Sequence, residues 1–206
     1  MGLRELWQQA WRDAGISTPD TSVFDQVLAR YSESSRAYHT TQHLEECLEQ
    51  FGSVAHLAVH PGEAQLALWF HDAVYDTRRG DNEERSAAWA VEVLSSAGAS
   101  SQVQLRVRDL ILATRGGSEP VSADGRLVVD VDLAILGAPP LRFEEYEAQI
   151  RREFSWVPDE AFAQARAEIV RGFLARPYVY ATDVFRERLE TQAQSNLASS
   201  LVRLGV

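Results

Sequence analysis

The sequence predicts an all-α protein that folds as a single-domain bundle of about nine to ten helices. Apolar residues recur at helical spacing through most of the 206 residues, and glycine, proline or short polar stretches separate these segments. One apolar run, residues 127–136, also fits a strand, but no other stretch offers it a partner strand. A chain of this length buries roughly 70% of its unfolded surface. We therefore expect one domain over residues 1–206, with a core of about 20–200 and helix 3–14 packed against it.

The first half of the chain contains six predicted helices. Their ranges are 3–14, a segment from a cap at Asp20 or Thr21 to about 31, 40–57, 62–70, 83–97 and 101–114. Gly15 and Gly98 follow the first and fifth of these, where a left-handed residue commonly ends a helix. Pro61 suits the first turn of the fourth helix, and Asn82 is a candidate cap for the fifth.

The second half begins with the ambiguous run. As a helix, it places Asp132 on the apolar stripe with Val128, whereas as a strand it places Asp130 and Asp132 on one face. We prefer the helix, and in either case a carboxylate lies among apolar neighbours. Helices are predicted to follow the break at residues 139–140, over 142–154, 159–175 and 183–204.

Composition excludes several classes of protein. The net charge is −10, which disfavours a partner that is a nucleic-acid polymer. No apolar run approaches the ~20 residues that cross a bilayer. The single Cys47 excludes an intramolecular disulfide and a cysteine-based zinc site, and we expect it to pack as a small apolar residue. These features predict a cytoplasmic protein without membrane association; they do not predict its oligomeric state.

Candidate functional residues centre on the segment 68–76, where an apolar run delivers His71 and Asp72 side by side. A buried carboxylate needs a partner, and a bound cation would supply the missing charge. A structural pair that caps a helix end is the alternative. His39 and His43 lie four residues apart, so on a helix they share a face, although such a pair is often only a core or surface feature.

Taken in order, His43, the His71–Asp72 doublet and Asp132 resemble the signature of the HD superfamily of metal-dependent phosphohydrolases. Longer segments look like a small bacterial branch of predicted HD phosphohydrolases: 36–43, 67–76, 82–87, 130–137 and 190–197. The resemblance spans roughly residues 30–200. It implies an HD-type helical bundle and metal-dependent hydrolysis of a phosphate ester on a small molecule, a nucleotide being one candidate.

The resemblance also implies roles for individual residues. It places the metal ligands at His43, His71, Asp72 and Asp132. Asp132 is preferred to Asp130 because the family's last ligand directly precedes a leucine-type residue. Cyclic-nucleotide phosphodiesterases look similar around the histidine pair and use the earlier histidine as a proton donor, which makes His39 a candidate general acid.

Further candidates follow from the residue types around this set. Asp72 or Glu83 could accept the proton of the attacking water. Arg36, close to the histidine pair, and Arg78, on the loop after the doublet, are candidate phosphate contacts because a guanidinium binds phosphate through two parallel hydrogen bonds. His56 and His60 have the same spacing as the first pair but lack an acidic partner, and we interpret them as structural.

Two imidazoles and two carboxylates suit one divalent ion of Mn, Fe, Co, Ni or Zn, and Mg is also compatible. A second metal is not expected, because Tyr75 and Asp76 stand where many relatives with two metals carry another histidine. Arg115 likewise follows Thr114, where members of this branch often have a histidine. The alternative functions are a non-catalytic HD module that binds a ligand and, less favoured, a di-iron oxidase of the HD type.

Overall fold

The computed structural model describes residues 2–19, 21–116 and 122–205. These residues form ten α-helices and two short 3₁₀ helices, and they contain no β-strand. The all-α prediction is confirmed. Within the ambiguous run, residues 127–132 belong to an α-helix and residues 133–136 to a 3₁₀ helix, so none of it is a strand. Asp20, one of the two proposed caps of the second helix, lies outside the described residues. None of the described helices combines the length and the apolar character needed to cross a membrane.

The helices follow one another along the chain, and their bounds lie within a few residues of the predicted ones. In the first part they are α1 Leu3–Asp13, α2 Thr21–Tyr31, α3 Thr41–Val54, α4 Pro61–Phe70, α5 Asn82–Ser96, α6 Ser101–Ala113 and α7 Ala123–Asp132. In the second part they are α8 Pro140–Glu153, α9 Asp159–Leu174 and α10 Asp183–Leu204. The 3₁₀ helices are Ala55–Leu57 and Leu133–Gly137.

The chain divides into two compact units, Met1–Asp132 and Leu133–Val206. In the first unit, α4 contacts α1, α3, α5, α6 and α7. Every residue from 62 to 70 is therefore buried, and the helix has no solvent-facing side. Its one carboxylate inside this range, Glu63, accepts two hydrogen bonds from the Arg106 guanidinium at 2.6 and 2.7 Å. This pairing offsets the cost of burying the charge.

An aromatic cluster holds α1, α2 and α4 together in the first unit. Trp7 packs edge-on against Trp69, with ring centroids 5.1 Å apart and an interplanar angle of 86°. It also contacts Trp11, Phe24 and Phe70 at 5.5 to 5.9 Å. Such edge-to-face pairs add about 0.5–1.5 kcal/mol each to the gain from burial. The cluster therefore fixes α4 just ahead of the His71–Asp72 doublet.

Helix α5 begins differently from the prediction. Asn82 is its first helical residue, and Asp81 occupies the capping position without a side-chain cap. The Asn82 side chain instead accepts the Asp76 N–H at 3.1 Å and donates to the Asp76 carbonyl at 3.1 Å. The proposed cap is thus wrong, because the amide is used to close the loop after the doublet. Gly98 ends the helix with φ of 80°, as predicted.

The second unit is organised around the 3₁₀ helix and α10. The Asn196 side chain on α10 donates to the carbonyls of Leu136 and Ala138, both at 2.8 Å. Glu190 accepts the N–H groups of Val179 and Tyr180 at 2.9 to 3.3 Å. These bonds give the 190–197 segment a structural role, since they satisfy backbone groups that α10 would otherwise leave buried and unpaired.

Gly62 permits the close crossing of α1 and α4. A Cβ atom at this position would lie 2.8 Å from the Ala10 carbonyl oxygen and closer still to the backbone of Asp13 and Ala14. Backbone atoms cannot move aside as a flexible side chain can. We expect Gly62→Ala to lower the free energy of unfolding by about 3 kcal/mol, measured by chemical denaturation.

Gly52 in α3 is the matched control, because nothing lies within 4 Å of the corresponding Cβ position. Gly52→Ala should keep or raise stability by up to about 1 kcal/mol. Equal behaviour of the two alanine variants would contradict the close crossing.

Candidate metal centre

The doublet residues leave α4 at its carboxyl end, where the apolar helix stops. His71 is the residue after Phe70, and its Nδ1 donates a hydrogen bond to the Leu68 carbonyl oxygen at 2.8 Å. A carbonyl oxygen only accepts, so Nδ1 carries a proton and Nε2 is the nitrogen directed into the site. This bond fixes the ring orientation in the way that outer contacts orient metal-binding histidines.

Four of the predicted residues meet at this point. His43 Nε2 and His71 Nε2 are 3.1 Å apart. Asp72 Oδ2 lies 3.1 Å from His71 Nε2 and 3.4 Å from His43 Nε2. Asp132 Oδ1 lies 3.3 Å from His43 Nε2 and 3.5 Å from His71 Nε2. The structure thus brings together residues from α3, the end of α4 and the end of α7.

These distances match the spacing of atoms that share one ion. Donors bound at about 2.1 Å lie about 3.0 Å apart at right angles and about 3.4 Å apart at tetrahedral angles. The donor set is also chemically suitable, because imidazole and carboxylate together bind first-row divalent metals. The group could therefore hold a metal ion. Asp132, rather than Asp130, supplies the carboxylate at this position.

The charges of the four groups depend strongly on one another. Burial alone would lower the pKa of His71, but the charge of Asp72, the Tyr31 hydroxyl and the hydrogen bonds with Asp132 and Asp72 together raise that pKa well above its ordinary value. Burial likewise lowers the pKa of His43, while Cys47, Tyr38 and the two carboxylates raise it. Without a metal, protons on the imidazoles thus balance the carboxylates.

The carboxylates show the complementary shift. Burial would raise the pKa of Asp132, yet hydrogen bonds from the two imidazoles lower it well below its usual range. The pKa of Asp72 is lowered in the same way, through the charges of His71 and His39. Both carboxylates therefore remain ionised at neutral pH. Ionised carboxylates are the form that binds a cation.

Arg36 forms hydrogen bonds with the backbone around the His71–Asp72 doublet. Its side chain is completely buried. The guanidinium donates to the carbonyls of Asp72 at 2.6 Å, His39 at 3.1 Å and Ala73 at 3.3 Å, and to Glu33 at 3.3 Å. These contacts use the donors that a phosphate would need, so the predicted phosphate contact has no geometric support. The observed bonds instead fix the backbone that carries the metal-site carboxylate.

Tyr31 provides a second support. Its hydroxyl donates to the Trp69 carbonyl and accepts the Asp72 N–H, each at 3.3 Å. Burial raises the pKa of this hydroxyl to about 12, which keeps it protonated and able to donate. Arg36 and Tyr31 together therefore hold the backbone on both sides of His71.

His39 lies beside the four donors rather than among them. Its ring stacks on Tyr75 with centroids 4.0 Å apart and an angle of 27°, and its centroid is 5.7 Å from that of His43. Its charge contributes to the lowered pKa of Asp72, so the two groups interact. This half-buried position at the edge of the site suits the predicted proton donor, which must reach a substrate as well as the centre.

Glu83, near the start of α5, is half-buried. Burial raises the pKa of its carboxyl above the ordinary value, and the Asp72 charge raises it further. The neighbouring Glu84 instead forms an ion pair with Arg115. Glu83 is thus the acidic residue of α5 that interacts with the doublet, consistent with its candidate role as a base.

The remaining predicted residues lie further from the donors. The Arg78 N–H donates to the Asp76 carboxylate at 2.9 Å, which fixes the backbone of this loop while the residue is exposed. Its phosphate contact stays a prediction. His60 has an acidic partner, contrary to the prediction, because its Nδ1 lies 3.7 Å from Asp124 Oδ2. His56 is exposed. The structure keeps both histidines out of the four-residue group.

Cys47 is the neighbour that sequence reasoning missed. The thiol is buried, as expected of a small apolar residue, but Sγ lies 3.7 Å from both ring nitrogens of His43. His43, Cys47, His71 and Asp132 each offer a donor atom within 4.8 Å of the others. The i, i+4 spacing of His43 and Cys47 is the signal that could have revealed this proximity.

Comparison of the chain with protein-family models, with curated proteins and with solved structures gave no match.

The support from Arg36 can be measured by Arg36→Met, which keeps the volume but removes the hydrogen bonds. Three backbone carbonyls would lose their donor, and we expect the free energy of unfolding to fall by about 3 kcal/mol in a urea titration. Arg79→Met is the control, because Arg79 is exposed and bonds only to the nearby Asp81 in a surface ion pair. A full retention of stability in Arg36→Met would contradict the supporting role.

Proposed function

We propose that this protein is a metal-dependent phosphohydrolase that hydrolyses a phosphate ester of a small molecule, a nucleotide being one candidate. One divalent ion is held by His43, His71, Asp72 and Asp132. The observation that carries the proposal is the convergence of these four donors at 3.1 to 3.5 Å around one buried point. The order of the same residues along the chain supports it through the resemblance to HD phosphohydrolases.

The donor set favours Mn, Fe, Co, Ni or Zn, since imidazole nitrogen suits these ions better than Mg. A bound ion of this kind supplies an acidic water and offsets negative charge on a phosphoryl group. Among the described residues, His43, Cys47, His71 and Asp132 form a group that could hold an ion, and Asp72 Oδ2 lies 3.1 to 3.4 Å from both imidazoles. The proposal is one ion per chain, and metal stoichiometry separates it from the di-iron oxidase.

Other residues transfer the protons and contact the phosphate. Glu83, whose carboxyl interacts with Asp72, accepts the proton of the attacking water. His39, held by its stack on Tyr75, donates a proton to the leaving oxygen. Arg36 positions the Asp72 backbone, while Arg78 on the exposed loop remains the candidate contact for the phosphate. The proposed substrate is a small phosphate ester, as the resemblance implies, and the net charge of −10 disfavours a nucleic-acid polymer in its place.

The proposal is tested first by metal analysis and catalysis on the purified protein. We expect one equivalent of a divalent transition metal per chain, and hydrolysis of a generic phosphomonoester or phosphodiester after addition of Mn²⁺, Co²⁺, Ni²⁺ or Zn²⁺. Metal binding without turnover of any phosphate ester would favour a ligand-binding module. Two irons per chain with oxygen uptake would favour the oxidase.

Substitutions separate the ligands from the proton donor. His71→Ala and Asp72→Ala should each lose the bound metal, because each removes one of four donors. His39→Ala should retain the metal and lower kcat by about 10²- to 10⁴-fold. His56→Ala, on an exposed histidine, is the control and should keep both. Metal retention in both doublet variants would show that the ligands are assigned wrongly.

The two glutamates at the start of α5 form a matched pair for the proposed base. Glu83→Gln removes the proposed proton acceptor, and we expect kcat to fall by about 10²-fold with metal content unchanged. Glu84→Gln removes only the ion pair with Arg115 and should keep kcat within about twofold. An equal fall in both variants would argue against Glu83 as the base.

A further inference from the structure

The thiol of Cys47 stands beside the proposed centre without a function in hydrolysis. Cys47 follows His43 by one turn of α3, so both side chains leave the same face of the helix. The residue is buried with 2% of its surface exposed, and its Sγ is 3.7 Å from His43 Nε2. No described residue offers another sulfur donor of this kind, because Cys47 is the only cysteine in the chain.

The Cys47 sulfur lies close to the donors that would bind an ion, but it is not yet oriented as a ligand. Sγ is 3.7 Å from both Nε2 and Nδ1 of His43, so it lies beside the imidazole ring. Bonds of about 2.1 Å to nitrogen and about 2.3 Å to sulfur, at a tetrahedral angle, would place Sγ and Nε2 about 3.6 Å apart. Rotation of the thiol about its Cα–Cβ bond would be needed to bring it onto the Nε2 side of the ring. The donors of His71 and Asp132 also lie within 4.8 Å of Sγ.

From this geometry we infer that the centre has a second binding mode, in which Cys47 is a ligand for a thiophilic divalent cation such as Cd²⁺ or Zn²⁺. The inference rests on the proposed metal centre and extends it. The two modes share His43, His71 and Asp132. They differ in the fourth donor, which is the Asp72 oxygen in one mode and the Cys47 sulfur in the other.

The hardness of the cation selects between the modes. Mn²⁺ and Mg²⁺ prefer oxygen donors, whereas Cd²⁺ and Zn²⁺ also accept thiolate. When sulfur binds, the thiol proton leaves to solvent and the negative charge on Sγ replaces that of the Asp72 oxygen.

Titration of the metal-free full-length protein with Cd²⁺ tests the inference. We expect a thiolate-to-cadmium charge-transfer band in the ultraviolet that saturates at one equivalent per chain. Because the chain has a single cysteine, a saturable band at this stoichiometry identifies Cys47 as the source. In Cys47→Ser the band should vanish, and the ratio of Cd²⁺ affinity to Mn²⁺ affinity should fall by about tenfold or more.

The controls keep the outcomes distinct. Cys47→Ala provides a second variant if the serine hydroxyl disturbs the interior, and the wild-type band needs no variant at all. One bound Cd²⁺ without a band would overturn the cysteine mode and leave the proposed hydrolase centre intact. Failure of the wild-type protein to bind either Cd²⁺ or Mn²⁺ would overturn both the cysteine mode and the centre itself.

Discussion

Two imidazoles and two carboxylates meet in the interior of the first unit, and neither pair is stable there without the other. An unpaired buried charge costs several kcal/mol, even after the surroundings relax. Here the carboxylates of Asp72 and Asp132 compensate the imidazoles of His43 and His71 at 3.1 to 3.5 Å. In the metal-free protein, protons on the imidazoles balance the charge of the carboxylates. A divalent ion bound between the four groups would balance the same charge.

The surrounding structure keeps these four side chains in contact. Helix α4 is buried on every side, so its carboxyl end is fixed by packing rather than by solvent-facing polar groups. The Trp7 cluster fixes the helix laterally. The guanidinium of Arg36 and the hydroxyl of Tyr31 then bind the backbone groups around the doublet. Three kinds of interaction therefore hold the two residues of the doublet in place.

The function depends on the four donor residues and their neighbours more than on the fold. An all-helical fold supports many activities, so the hydrolase proposal depends on the donor set and its acid–base neighbours. His39 and Glu83 lie at the edge of the group, where proton transfer to and from a substrate is feasible. Cys47 adds a sulfur donor close to this group, and sulfur is a softer ligand than the carboxylate oxygens. A cation bound here would therefore be selected by the donors of the site and not by the fold.

The sequence by itself determined the all-helical class, the bounds of most helices and the residues of the candidate centre. Periodicity and punctuation by glycine and proline are local signals, and a helix end such as Gly98 needs only its own backbone conformation. The resemblance to HD phosphohydrolases favoured Asp132 over Asp130, because the family's last ligand directly precedes a leucine-type residue.

The tertiary structure alone revealed the contacts of Arg36, Asn82 and Cys47. The partner of each side chain lies on another element or in a loop. Arg36 contacts the carbonyl of Asp72, Asn82 contacts the backbone of Asp76, and Cys47 lies near the donor atoms of His71 and Asp132. The guanidinium of Arg36 is buried and donates to backbone carbonyls. Donors used in this way are not available to a phosphate. Long-range proximity of this kind leaves no periodic trace in a sequence, because it depends on how distant helices pack.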